Sequence, residues 1–177
     1  MARLNSVDPR NANLAPGAVR VVGGQLIESD GPAAGVYTFD VKLPAYAVLL
    51  DVVIHNEALW TADTSATLET GFYSVDSDTG AISTAIDADD IYAAVNLKAT
   101  DLVAGAALSF AWGGGVEGDL QGVVATQDFL TDAVDVVDRF IRTKVTTVGT
   151  VGTAGKTYVY VIYALPEMDA ATFVASA

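Results

Sequence analysis

The chain has 177 residues, no cysteine, and 9 Lys+Arg against 22 Asp+Glu, which gives a formal net charge of −13. Its length suits one domain with arms, and a hydrophobic content of 51% rules out disorder for most of it. The lack of cysteine excludes a disulfide framework, a cysteine zinc site, an iron–sulfur cluster and a thiol nucleophile. The acidity disfavours nucleic-acid binding by the body, because phosphates repel such a surface.

Residues 1–17 carry Asn5, Asn11, Asn13, Pro9 and Pro16 with little periodicity, and read as an extended N-terminal arm. The arm is locally basic: Arg3, Arg10 and Arg20 face only Asp8 before Glu28. It contains no apolar block of signal-peptide length. The longest apolar stretch, Val48 to Ile54, is interrupted by Asp51 and is too short for a membrane-spanning helix. A soluble protein made in a cytoplasm, with no membrane partner, is the expectation.

From residue 18 the dominant signal has period two, the repeat of a pleated strand with unlike faces. Ala18–Val22 and Gln25–Glu28 flank Gly23-Gly24, which predicts a tight hairpin. In Gly35–Lys42, Tyr37, Phe39 and Val41 share one face. After Leu43-Pro44-Ala45, Tyr46–His55 forms a strand that is apolar on nearly both sides: Val48, Leu50, Val52 and Ile54 against Leu49, Asp51, Val53 and His55. Such a strand belongs mid-sheet with its outer face covered, as by a neighbouring subunit. Ala66–Ser74 alternates again and ends at Asp76-Ser77-Asp78-Thr79-Gly80, a turn-forming cluster. Ile82–Leu97 admits a strand or a short helix capped by Asp89-Asp90, and Leu102–Trp112 admits the same two readings. An acidic segment (Asp128, Asp132, Asp135, Asp138) leads into a strand at Arg139–Val148. This strand is expected to pair with Lys156–Leu165 across a Gly/Thr loop, and a tail closes the chain. Seven to nine short strands predict an all-β protein: a single antiparallel β-sandwich or jelly-roll-like domain over 18–166, with the arm at 1–17 and a C-terminal tail at 167–177.

Three motifs bear on chemistry. Gly155-Lys156-Thr157 echoes the end of a phosphate-binding loop, but position 150 is Thr where that motif needs glycine, and a strand follows where it needs a helix. His55 is the single imidazole. Its nearest same-face carboxylate, Asp51, lies four residues away, about 13 Å along a strand, too far to hydrogen-bond. Asp76-x-Asp78-x-Gly80 begins like a calcium loop, yet Gly80 stands where an oxygen ligand belongs and Ala81 where the turn glycine belongs. Solvated turn aspartates are the default there and at Asp87, Asp89 and Asp90. No catalytic, cofactor-binding or metal-binding residue is assigned, and no cofactor is expected.

Two segments carry a family resemblance. The run from Tyr37 to Val52 (Tyr-Thr-Phe-Asp-Val-Lys-Leu-Pro-Ala-Tyr-Ala-Val-Leu-Leu-Asp-Val) resembles an alternating strand, Leu-Pro-small, then hydrophobic-Asp-Val pattern of small virion proteins in tailed bacteriophages. Arg139–Thr146, a Thr/Gly loop and Tyr158–Tyr163 extend the likeness, which spans roughly residues 35–165. Residues 81–138, with glycines at 113–115 and 118, depart from the pattern. The resemblance implies a non-enzymatic capsid decoration (cement) protein, a β-sandwich homo-oligomer, often a trimer, on the capsid exterior with the major capsid protein as partner. Arg3, Arg10 and Arg20 are the candidate capsid contacts. The alternatives are a head–tail joining or tail protein, or a calcium- or carbohydrate-binding β-sandwich module.

Overall fold

The computed structural model describes residues 19–30, 35–43, 47–75, 81–98, 100–110, 139–150 and 152–164. They are almost entirely antiparallel strand: β1 (Val19–Ile27), β2 (Val36–Leu43), β3 (Val48–Ala58), β4 (Ser65–Val75), β5 (Ile82–Asn96), β6 (Ala106–Ser109), β7 (Arg139–Val148) and β8 (Lys156–Ala164), with one 3-10 turn at Glu28–Asp30. The strands form two four-stranded sheets, ordered β1-β8-β3-β6 and β2-β7-β4-β5. The chain is thus wound in nested pairs: β1 lies beside β8, β2 beside β7, β3 beside β6 and β4 beside β5. The all-β sandwich anticipated from the alternation is the observed fold.

One face of every long strand points between the sheets. Tyr37, Phe39 and Val41 of β2, Leu68 and Phe72 of β4, and Ile141 and Val145 of β7 are buried with Val52 and Ile54 of β3 and Val159, Val161 and Tyr163 of β8 in one cluster. Burying side chains of this size contributes about 1.5–3 kcal/mol each.

Three local expectations are corrected, and one segment left open between strand and helix is resolved. Gly23-Gly24 makes no hairpin, since β1 runs unbroken past both glycines and pairs with β8 from Val19↔Ala164 to Ile27↔Lys156. The reason is close packing: a Cβ on Gly24 would collide with the Phe39 ring of the opposite sheet, and one on Gly23 would sit 2.6 Å from the Tyr160 ring. In β3 a bulge at Leu50-Asp51 shifts the register from Leu49↔Tyr163 to Asp51↔Ile162, so the two faces exchange phase. Leu49 points inward before the bulge, and Val52, Ile54 and Asn56 do so after it. Ile82–Asn96 is a strand, not a helix, bent by four register irregularities against β4 and by Ala94 at φ 49°. Finally, β7 and β8 are not paired with each other. They lie in opposite sheets, so the Gly/Thr segment from Gly149 to Gly155 crosses the end of the sandwich.

That crossing is held by a carboxylate. Glu28, fully buried just after β1, accepts hydrogen bonds from the Thr61 amide (2.9 Å) and hydroxyl (2.9 Å), the Ala62 amide (2.8 Å) and the Gly155 amide (2.9 Å). Its own amide donates to the Gly155 carbonyl at 2.8 Å, and Tyr37 Oη donates to its carbonyl at 2.9 Å. Gly152 and Gly155 are glycines because a Cβ at the first would strike Glu28 and Thr61, and at the second would lie 2.6 Å from Trp60 Cγ. Of the segment that echoes a phosphate loop, Gly155 thus donates one of the four hydrogen bonds to the protein's own anion, and Gly152 leaves room for it. Beside it runs a buried polar chain. Trp60 Nε1 donates to Thr157 Oγ1 (2.9 Å), Thr157 to Asn56 Oδ1 (3.0 Å), and Asn56 Nδ2 to the Leu102 carbonyl (2.9 Å).

Burial works to raise the Glu28 pKa, but the hydrogen bonds from Thr61, Gly155 and Ala62 outweigh it and hold the carboxyl below its ordinary value of 4.5. A depressed folded-state pKa stabilises fully above the unfolded value, and the stabilisation disappears as pH falls through the lower folded value. Glu28→Gln, which offers one acceptor where three amides and a hydroxyl converge, should therefore lose about 2–4 kcal/mol at pH 7. Its urea-unfolding stability should also fall less than that of the parent between pH 5 and pH 3. Gly24→Ala should lower the urea midpoint by the equivalent of about 1–3 kcal/mol with an unchanged m-value, the signature of overpacking against Phe39.

Candidate assembly surfaces

The outer faces of the two sheets differ in chemistry. On the β2-β7-β4-β5 sheet, Arg142 reaches across the β2–β7 register to Asp40 with two hydrogen bonds, Nε to Oδ1 at 2.6 Å and Nη2 to Oδ2 at 3.0 Å. Its guanidinium also lies 4.9 Å from the Tyr73 ring centroid. The hydrogen bond to Asp40 raises the Arg142 pKa. Lys144 pairs with Glu69 at 2.6 Å across β7–β4, and this bond raises the lysine's pKa. Thr38, Thr67 and Thr146 fill the spaces between. Asp40 is buried at 6% exposure, whereas Lys144–Glu69 is partly exposed and contributes little to stability; Val36 and Val148 are exposed on the same strands.

The outer face of the β1-β8-β3-β6 sheet is apolar over half its length. Val19 (58% exposed) and Val21 (62%) stand on β1, Val48 (48%) and Leu50 (42%) on β3, and Tyr160 (37%) on β8 between them. The register sets them side by side: Val19 and Val48 both flank Ala164, Val21 flanks Ile162, and Val53 flanks Tyr160. Of the eight large hydrophobic side chains exposed among the described residues, these are five; Val36, Val103 and Val148 lie elsewhere. The bulge helps to build this patch. The inserted residue turns Leu50 outward beside Val48, and Asp51 follows on the same side, buried and accepting from the Ser109 hydroxyl at 2.6 Å. Asp51 is the one carboxylate on this half among the described residues.

The far half of the same face is polar and aromatic. His55 stacks on Tyr158 (centroids 6.0 Å apart), and Tyr158 on Tyr160 (6.3 Å). Lys156 lies 4.9 Å from the Tyr158 ring centroid and 2.8 Å from Glu57 Oε2. The bond to Lys156 lowers the Glu57 pKa, and the same bond raises that of Lys156. His55 is thus a half-buried side chain in an aromatic row, stacked on Tyr158.

The other sequence-predicted residues are not brought together. Arg3 and Arg10 lie outside the described residues, as do Asp76 and Asp78 and the side chains of Asp87 and Asp90; Asp89 is exposed on β5. Arg20 is half-buried on β1 opposite Tyr163, and its charge opposes the rise that burial imposes on the tyrosine's pKa. Among the described residues no group of three or more His, Asp or Glu is placed to hold a metal ion, and no helix is long and apolar enough to cross a membrane. The apolar outer face read from the sequence for β3 is observed, exposed at Val48 and Leu50, but its continuation onto β1 was missed because the reading divided Val19–Ile27 at the glycines. The signal was the alternation Val19, Val21, Gly23, Gln25, which keeps one phase through the glycine pair.

No family model matches the chain, and no curated protein matches it. Among solved structures, a chain from the capsid of Ralstonia phage GP4 aligns with 87% of this chain and 88% of its own length, at 16% sequence identity and a TM-score of 0.45.

Proposed function

We propose that this chain is a non-enzymatic structural protein of a tailed-phage virion, a homo-oligomer that decorates or cements the capsid exterior by protein–protein contact. The observation that carries the reading is the unlike chemistry of the two sheet faces. One is ion-paired and suited to water, and the other is apolar over half its length and suited to a protein partner. A slab of this kind works by the area it covers and the number of copies it presents, and needs no pocket.

Two further observations support it. Eight strands in the orders β1-β8-β3-β6 and β2-β7-β4-β5 follow the winding of a double-sheet jelly roll, an architecture used by viral capsid proteins as well as lectins and cupins. The two segments that resemble phage virion proteins are also neighbours in space. Tyr37–Val52 runs from β2 into β3 and Arg139–Tyr163 from β7 into β8, while β2 pairs with β7 and β3 with β8. The resemblance thus falls on the paired strands of both sheets. The arm at residues 1–17 leads into Val19, at the rim of the apolar half, where Arg3 and Arg10 would meet carboxylates of a shell protein on docking.

Quantitative mass spectrometry of purified virions should find hundreds of copies per particle. A small multiple of six would point instead to a head–tail or tail ring, and absence from particles would refute the virion reading. Removing residues 2–17 should leave the melting temperature nearly unchanged and abolish attachment to stripped shells. Attachment of the intact protein should weaken as salt rises from 50 to 500 mM, because exposed ion pairs are screened within about 10 Å at 0.1 M. Full occupancy by the truncated chain would remove the arm from the account.

A further inference from the structure

The apolar half-face has no identified occupant, and its composition and position narrow the choice. The geometry points to a second copy of this chain as the occupant, packed through the half-face that carries Val19, Val21, Val48, Leu50 and Tyr160. This deepens the homo-oligomeric part of the proposed function by naming the surface, and it does not depend on attachment to a shell.

Charge is the first argument. A chain of net charge −13 approaches another copy at an electrostatic cost, which is smallest where neither surface presents exposed carboxylates. Among the described residues this half-face is such a region. Its one carboxylate, Asp51, is 8% exposed and bonded to Ser109, while Glu57 stands at the far end already paired with Lys156. The opposite sheet, by contrast, presents the partly exposed carboxylate of Glu69 with its partner Lys144. An apolar partner surface is required on one side, and the same half-face supplies it on the other, which is the self-complementarity of a two-fold contact.

Position is the second argument. Val19 and Val21, the two most exposed of the five, lie on β1, and β1 is an outermost strand of its sheet. The patch therefore reaches the rim, where no strand among the described residues pairs with the outer side of β1. The strand is nine residues long and carries one charged residue, Arg20, and no proline. That is an edge with little of the protection that usually keeps strands from meeting another chain.

The test is the solution mass of the full 177-residue chain by analytical ultracentrifugation between 1 and 200 µM. The parent should sediment as a multiple of 18.3 kDa. Val21→Glu and Leu50→Glu should each raise the dissociation constant at least tenfold, while Val36→Glu, on the other sheet, should leave it unchanged. Circular dichroism melts establish whether each variant folds. If a glutamate variant does not, Val21→Ser takes its place, with a smaller increase expected. Because the chain has no cysteine, Val21→Cys takes a single nitroxide label; dipolar broadening that disappears on dilution with unlabelled protein supports the contact directly. A parent that remains at 18.3 kDa throughout overturns the inference. An oligomer whose mass resists both glutamate variants also overturns it, while leaving a homo-oligomer by another surface intact. A monomer that binds a hydrophobic dye only after residues 166–177 are removed would assign the face to the chain's own tail, again against the inference. Face-dependent assembly of a protein absent from virions would sustain this contact and refute only the virion reading.

Discussion

The sandwich depends on one buried anion. Consecutive strands mostly alternate between sheets, so the connections at the sandwich end, not strand pairing alone, hold the two layers in position. Glu28 ties three of these connections together: the turn after β1, the β3–β4 segment at Thr61-Ala62 and the β7–β8 segment at Gly155. A carboxylate without exposure is costly unless its lone pairs are satisfied. Here three backbone amides and a hydroxyl satisfy them, and glycines at 152 and 155 leave the space. The Trp60–Thr157–Asn56 chain extends the same strategy into the core, since each group would be expensive to leave unpaired.

With the layers so fixed, alternation along the strands sorts side chains into three environments. Inward positions form one apolar cluster. Outward positions on β2, β4 and β7 hold cross-strand ion pairs. Outward positions on β1, β3 and β8 expose valine, leucine and tyrosine over the half nearest Val19. The Leu50-Asp51 bulge links sequence to the proposed function most directly, because one extra residue turns an additional leucine toward the surface, and Asp51, the one carboxylate there among the described residues, is held in a buried bond with Ser109. The proposed assembly role follows from that sorting and calls on no reactive group.

The strands with unbroken alternation were legible from the sequence. Tyr37, Phe39 and Val41, or Leu68 and Phe72, announce their inward faces because period two survives from end to end. Which strands pair was not legible. Arg139–Val148 and Lys156–Ala164 look like a hairpin because a glycine-rich loop joins them, and the same loop serves equally well to cross between sheets when it must pass Glu28 and Trp60. Gly23-Gly24 misleads for a related reason. Glycine marks a turn or a close approach, and local sequence does not distinguish them, since the approaching Phe39 ring comes from another sheet. The bulge in β3 was hidden because Leu49, Leu50, Val52 and Val53 are apolar in either phase. Glu28 offered no signal beyond being a charge at the end of Leu26-Ile27, and its four donors come from segments far along the chain.

The central claim is that this protein turns one face to protein and the other to water. Cryo-microscopy of virions carrying it tests that claim most directly. The account predicts density for another protein chain over Val21, Leu50 and Tyr160, with Asp40–Arg142 and Glu69–Lys144 facing solvent. A particle in which the β1-β8-β3-β6 face is bare and the ion-paired face is covered would contradict it.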